Sequence, residues 1–333
     1  MTTHSSSAPP IAIIIPYFQR NAGLLKACVL SILEQEGVSD FRIIVVDDES
    51  PVPAQEELAD IVGGGESRIE IVYQSNAGPG AARNTGLDHV PDGTRFVAFL
   101  DSDDQWTGPF LAATLSALER GYDLFFGNSA RTGQSKTRFD WWADRNLNLR
   151  AGDHVLVDAE CELYEYQGDF FDLLVKRSSI ISTSTLAYRF DRFPHVRFDP
   201  TIPNGQDRLF KLTLGQEVQR AAFSPKVCAY EGEGVNIFDK SQWGSEGSLR
   251  FLSSYIRLAK TVLAQIRLNS GQRSFVHGQL TESRRSFAAS IVHLIRRRKP
   301  VDWGQVRATF RNDPATAALF VPNVVRSILR RRG

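Results

Sequence analysis

The chain has 333 residues, with 39 Lys or Arg against 38 Asp or Glu and a net charge of +1. At 42% hydrophobic and 23% charged, its composition excludes a disordered or collagen-like chain and allows one large globular domain or two modest ones. No apolar stretch approaches the roughly 18–20 residues of a membrane span, and Cys28, Cys161 and Cys228 are too far apart for a C-x-x-C zinc or redox motif.

Residues 1–10 are polar, lack the apolar core of a secretion signal and read as a flexible tail. Cysteine usage this sparse suits a reducing cytosol. From Ile11 to Ile15 a β-branched run predicts a strand stopped by Pro16, followed by Tyr17, Phe18, Gln19, Arg20 and Asn21. The spacing of Leu24, Ala27, Cys28, Leu30 and Ile32 predicts an amphipathic helix over 23–35. A second strand over 42–46 ends at Asp47-Asp48-Glu49-Ser50, a helix over 53–61 is stopped by Gly63-Gly64-Gly65, and a third strand covers 68–73. Strand and helix alternate at short spacing, so the fold class is α/β, a doubly wound, mostly parallel sheet with helices on both faces.

The Gly-rich stretch 76–86 runs into a helix. Gly78-x-Gly80-x-x-Arg83 lacks the third glycine of a dinucleotide fingerprint and follows the third strand rather than the first, which argues against an oxidoreductase. A phosphate or a metal-bound diphosphate at this helix start, paired by Arg83, is the expectation.

Phe96–Leu100 reads as a buried strand, and Asp101-Ser102-Asp103-Asp104 follows it. Three carboxylates there repel one another and are costly to desolvate. Mg²⁺ or Mn²⁺ offsets that cost and usually shares its shell with substrate phosphates. An EF-hand is excluded, because its sixth and twelfth positions are Trp106 and Ala112.

A helix over 109–120 and a strand over 122–126 come next, then a polar, irregular stretch over 131–165 that carries Trp141-Trp142. The tryptophan pair either stacks on sugar rings or plugs a core. A helix is expected over 169–175. Ser178–Thr185 either lines a hydroxyl-rich ligand or forms an edge strand. Asp207 falls in the first turn of the next helix, where the helix dipole stabilises a carboxylate.

In the last third, the spacing of Leu249, Leu252, Ile256, Ala259, Leu263 and Ile266 predicts one helix, and Phe287, Ile291 and Leu294 mark another. Residues 284–333 hold twelve Lys or Arg against two Asp, a net of +10, so the rest of the chain stands near −9. Such a block points to an anionic partner. An anionic membrane surface is preferred, since interleaved apolar residues can enter the interface. Nucleic acid is disfavoured because the region has no stacking platform and no known motif.

Four blocks in order carry a resemblance: 13–20 (Ile-Ile-Ile-Pro-Tyr-Phe-Gln-Arg), 45–50 (Val-Val-Asp-Asp-Glu-Ser), 76–86 (Asn-Ala-Gly-Pro-Gly-Ala-Ala-Arg-Asn-Thr-Gly) and 99–104 (Phe-Leu-Asp-Ser-Asp-Asp). Together they resemble the GT-A inverting glycosyltransferases of family 2, over residues 10–130 and less firmly to Asp207. The resemblance implies that Pro16 and Phe18 flank a nucleotide base and that Asp48 accepts the imide N–H of uracil. It places Arg83 near the diphosphate or base. Asp101 and Asp103 become the D-x-D pair, Asp103 and Asp104 face the metal, and Asp207 is the general base. Residues 11–240 would be the catalytic domain, its donor half 11–130 and its acceptor half 131–240, with 241–333 a basic helical extension.

Gln19 stands where the family usually has Asn, Glu49 where it usually has Gly, and Gln206 where an acid often precedes the base. The Q-x-x-R-W motif of processive synthases is absent, which implies one sugar per encounter. Residues 230–237 resemble the matching region of transferases building succinoglycan-type exopolysaccharides, and form either a lid or a plain loop. The implied reaction moves a hexose such as glucose from a UDP-sugar to a carbohydrate, lipid-linked at the cytoplasmic face of a membrane. The rival readings are a nucleotidyltransferase and a nucleotide-sugar-binding module without catalysis.

Overall fold

The computed structural model describes residues 8–145, 147–234, 244, 245 and 247–329. In chain order it has β1 (Ile11–Tyr17), α1 (Leu24–Leu33), β2 (Arg42–Asp47), α2 (Ala54–Glu57), α3 (Ala59–Gly63), β3 (Ile69–Tyr73), α4 (Pro79–Asp88) and β4 (Phe96–Phe99). Next come β5 (Gln105–Trp106), α5 (Phe110–Glu119), β6 (Leu124–Arg131), β7 (Val155–Asp158), β8 (Leu163–Glu165), α6 (Phe170–Arg177), β9 (Leu186–Arg189), α7 (Gln206–Gly215) and β10 (Ala221–Glu231). The chain then runs through α8 (Ser248–Gln265), α9 (Ser270–Arg296), α10 (Trp303–Asn312), α11 (Pro314–Ala318) and α12 (Phe320–Leu329).

The strands form one sheet in the order β3-β2-β1-β4-β9-β6-β10-β8-β7, with β5 on β10. β3, β2, β1 and β4 are parallel, as are β6 and β10. β9 enters antiparallel between β4 and β6, and β8 and β5 also run against the rest. Both faces are covered, as near-continuous apolar strands require. Ile11, Ile13 and Ile15 share a core with Leu25, Cys28, Val29 and Ile32 of α1 and with Phe110 and Leu111 of α5. Ile14 faces the other way, and α4 comes so close that a Cβ on Gly86 would lie 2.4 Å from its Cγ2. On that face Phe99 meets Tyr188, Phe198 and Phe210.

The expected helix over 53–61 is broken at Leu58 into α2 and α3. Ser178–Thr185 forms two 3₁₀ turns, Ser178–Ile180 and Thr183–Thr185, and is almost wholly buried, so it is not an edge strand. The strand is β9, immediately after it.

The chain divides into two compact units, Met1–Pro200 with Phe210–Val235, and Thr201–Leu209 with Asn236–Gly333. In the second unit, α8 and α9 bury Leu249, Ile256, Val262, Phe287, Ile291 and Leu294. Arg257 donates to the Thr201 carbonyl at 2.6 Å, and Gly205 lies against Leu258, so residues 201–209 pack on α8. Among the described residues, no helix is long and apolar enough to cross a membrane.

Candidate functional site

The parallel register pairs Tyr17 with Asp47 and Ile14 with Phe99. The polar clusters that follow β1, β2 and β4 therefore meet at one edge, the carboxyl edge where open α/β sheets hold ligands. Pro16 is buried at the end of β1 and Phe18 is half-buried just beyond it. Gln19 ties the clusters together. Its N–H donates to Ser50 Oγ at 2.9 Å and its side chain donates to Ser102 Oγ at 3.1 Å.

The two neighbouring aspartates at the end of β2, Asp47 within it and Asp48 just beyond, divide the work. Asp47 accepts from the backbone N–H of Ser50 and of Ala54, which fixes the start of α2. Asp48 faces the Gly-rich loop. Its Oδ1 accepts from Gln74 Nε2 at 2.7 Å and from Ala77 N–H at 2.9 Å, and its Oδ2 accepts from Gly78 N–H at 2.9 Å. An ionised carboxylate has about four acceptor positions, so one remains on Oδ2. The N–H groups before α4, expected to hold a phosphate, thus serve a protein carboxylate. Arg83 is buried on α4, pairs with Asp101 and lies 5.3 Å from the Phe198 ring centroid.

The acidic turn after β4 is enclosed from several directions. Asp104 Oδ2 accepts the Ser184 hydroxyl at 2.5 Å, and Oδ1 accepts Gly232 N–H at 3.0 Å. Ser184 Oγ also accepts the Asp101 N–H at 3.1 Å. Asp103 Oδ2 accepts Gly234 N–H at 2.8 Å. A Cβ at Gly232 would lie 1.9 Å from the Asp103 carbonyl oxygen, and one at Gly234 would lie 2.5 Å from Asp103 Oδ2. Only glycine lets this strap, residues 231–234, lie so close. Burial, then repulsion from Asp101, raises the Asp103 pKa, and burial with repulsion from Asp101 and Asp103 raises Asp104 well above the carboxylate range. Cys28 Sγ lies 3.6 Å from the Asp101 carbonyl oxygen, and its thiol is pushed up by burial and by Asp104. The turn holds more negative charge than its protein surroundings neutralise.

Glu231 begins the strap. Burial acts to raise its pKa, but Arg138, Ser129 and Arg131 outweigh burial and hold it below the usual value. Ser129 Oγ donates to Oε1 at 2.8 Å, and Arg138 pairs through both its Nε and Nη2. Arg138 and Arg131 also cover the Trp141 ring, with centroid distances of 4.5 and 5.2 Å. Trp141 and Trp142 are half-buried and, with Asp144 and Arg145, line a shallow cleft of about 380 Å³. They do not plug a core.

Asp207 lies in the first turn of α7, as expected, and belongs to the second unit with Arg208 and Tyr255. Arg208 donates to Gln279 at 2.8 Å. Ser184 lies in the hydroxyl-rich stretch 178–185 and Glu231, Gly232 and Gly234 in the stretch 230–237, but the sequence does not show that these residues hold the acidic turn. The signal for the glycines was the Glu-Gly-Glu-Gly run directly after a strand. Of residues 230–237, expected as a lid or loop, 235–237 lie outside the described residues.

A family model described as Glycosyl transferase family 2 matches residues 12–181. The chain is 33% identical over 229 residues to the succinoglycan biosynthesis protein ExoW of Rhizobium meliloti, covering 68% of this chain and 70% of that one. It is 27% identical over 200 residues to the amylovoran biosynthesis glycosyltransferase AmsB of Erwinia amylovora, covering 59% of this chain and 60% of the relative. Among solved structures, TarS 1-349 of S. aureus in complex with UDP-GlcNAc aligns with a TM-score of 0.54 at 16% identity, over 85% of this chain and 72% of that one. The mannosyltransferase PcManGT of Pyrobaculum calidifontis, in complex with GDP-Man and Mn²⁺, aligns with a TM-score of 0.55 at 15% identity, over 98% and 85%. These two likenesses establish the GT-A fold. With the sequence match spanning the edge where the acidic turn is built, the chain belongs to glycosyl transferase family 2.

Proposed function

We propose that this chain is an inverting, non-processive glycosyltransferase that moves a hexose such as glucose from a UDP-sugar to a carbohydrate hydroxyl. The observation that carries the reading is the turn at 101–104, where Asp103 and Asp104 are enclosed with raised proton affinity. A hard divalent cation, Mn²⁺ or Mg²⁺, fits this donor set, because carboxylate oxygens suit it and its charge offsets their repulsion. Among the described residues no three ligating side chains converge. Asp103, with Asp104 behind it, would therefore hold the cation from one side and leave positions for ligand phosphates. The metal would neutralise charge on the leaving diphosphate.

The chain's residues take the remaining tasks in this reading. Pro16 and Phe18 flank the base, and the open position on Asp48 Oδ2 accepts its imide N–H. Arg83 orients Asp101 towards the ribose and stands near the diphosphate. Asp207 takes the proton of the acceptor hydroxyl. As that oxygen bonds to the anomeric carbon, the bond to the β-phosphate oxygen breaks and its electron pair leaves with UDP. A single displacement inverts the centre. Trp141 and Trp142 offer ring faces to the acceptor sugar. Residues 11–130 form the donor half and 131–240 the acceptor half. The names of ExoW and AmsB support exopolysaccharide synthesis as the setting. The acceptor in that setting is lipid-linked, as on undecaprenyl diphosphate, at the cytoplasmic face of the membrane.

General-base help is typically worth about 10²–10⁴-fold. Asp207→Asn is expected to lower kcat by about that factor while UDP binding stays intact. Identifying the nucleotide product checks the reaction class. Release of UDP from a UDP-sugar supports transfer, whereas pyrophosphate from a nucleoside triphosphate, or an unchanged kcat in Asp207→Asn, contradicts the assignment.

A further inference from the structure

The second unit carries a surface that sugar transfer leaves unused. Between the end of α9 and the start of α10, every residue from Ile295 to Pro300 is exposed. Ile295 and Trp303, both large and apolar, are 53% and 52% exposed. Between them stand Arg296, Arg297, Arg298 and Lys299, and Arg298 turns the chain with a φ of 55°. Along α10, Arg307 and Arg311 follow Trp303 at successive i+4 positions and are exposed, while Val306 and Thr309 face inward. The helix therefore shows one aromatic and cationic stripe.

The ion pairs of this region use Lys260, Arg284 and Arg285. Among the described residues, Arg296, Arg297, Arg298, Arg307 and Arg311 have no acidic partner. Asp302, the carboxylate within the stretch, caps α10 by accepting Gln305 N–H at 2.8 Å. Six cationic side chains (Arg296, Arg297, Arg298, Lys299, Arg307 and Arg311) thus stand around Asp302, and two large apolar side chains project among them.

This combination matches the chemistry of an anionic bilayer surface. Trp favours headgroup depth, an aliphatic side chain favours the acyl boundary, and each basic residue adds attraction to anionic headgroups. A nucleic-acid backbone would satisfy the arginines and leave Ile295 in water. We propose that Ile295–Trp303, extended along α10 by Arg307 and Arg311, docks on anionic lipid headgroups. The proposal rests on the membrane setting inferred above and narrows it. Phe287, Ile291 and Leu294, the apolar markers of α9, are all buried and contribute nothing to such a contact.

The test is co-sedimentation of the full chain with vesicles of equal parts phosphatidylglycerol and phosphatidylcholine, against pure phosphatidylcholine, at low and high salt. Binding should need phosphatidylglycerol and fall with salt. The triple variant Arg296→Gln, Arg297→Gln, Arg298→Gln should partition about a hundredfold more weakly, and Trp303→Ser should weaken partition while keeping the salt dependence. Circular dichroism checks that both variants fold. Wild-type affinity in the triple variant, or tighter binding to duplex DNA than to vesicles, overturns the proposal. A parallel UDP titration separates the two readings. A wild-type chain that binds UDP but no anionic vesicles sinks the docking surface alone, and one that binds the vesicles but no UDP sinks sugar transfer alone.

Discussion

Asp103 and Asp104 are neighbours in sequence and differ in what holds them. Asp104 is buried, and each of its oxygens accepts a hydrogen bond from the protein. Asp103 is half-buried and leans on the strap through Gly234. The strap keeps the Asp103 carboxylate in place, and it can do so only without a side chain at residue 234. Gly234→Ala brings a methyl group to 2.5 Å from Oδ2, so the carboxylate or the strap must move. A displacement near 1 Å at a reacting centre can cost on the order of 10²-fold. Turnover and metal-dependent UDP affinity should fall about that far, while the melting temperature shifts by only a few degrees. Wild-type turnover in Gly234→Ala would show that the strap does not position Asp103. Glu49 gives a second residue-scale lesson. It adopts a φ of 58°, in the left-handed region that explains why glycine is usual there, and its carboxylate accepts Asn76 N–H at 3.1 Å.

At the scale of elements, what was legible in the sequence followed local periodicity. The strands that became β1 to β4 announce themselves as apolar runs ending in polar clusters, and the helices as 3–4 spacings. The site's acidic turn was equally plain, because three carboxylates after an apolar run have few uses. Partnerships made across the chain were hidden. Nothing local says that β9 inserts antiparallel between β4 and β6, or that Ser184, 80 residues from Asp104, supports it. The Ser/Thr composition of 178–185 signalled buried hydroxyls without naming their partner.

The helices of the second unit are tied by one such partnership. Asp313, buried before α11, receives Arg284 of α9 through two bonds of 2.8 Å, with Thr316 at 2.6 Å and Lys260 of α8 at 3.4 Å. Burial acts against the carboxylate, but Arg284 and Thr316 prevail and hold its pKa at about 2, below the model-peptide 3.8. A depressed carboxylate pKa stabilises the fold above the unfolded value, and that stabilisation is lost as pH falls from about 4 to about 2. Allowing for screening, it contributes about 1–2 kcal/mol. Asp313→Asn should lower stability at neutral pH by that amount and flatten the acid limb of a stability–pH curve. Acid limbs that run parallel in wild type and variant would contradict this.

At the scale of the whole molecule, a net charge of +1 conceals a division of labour. Negative charge gathers at the carboxyl edge of the sheet, where a divalent cation would offset it and leave positions for a ligand diphosphate. Positive charge gathers in the last fifty residues, and the structure concentrates part of it around Ile295 and Trp303. The metal and the anionic headgroups proposed above would each bring charge of the opposite sign.

In the proposed function the turn at 101–104 binds a nucleotide diphosphate through a metal held by Asp103. The direct measurement is calorimetric titration of UDP into the protein with and without Mn²⁺, repeated on Asp103→Ala. Binding in the micromolar range that needs both the metal and Asp103 is expected. Absence of UDP binding, or binding that ignores the metal and survives Asp103→Ala, would contradict it.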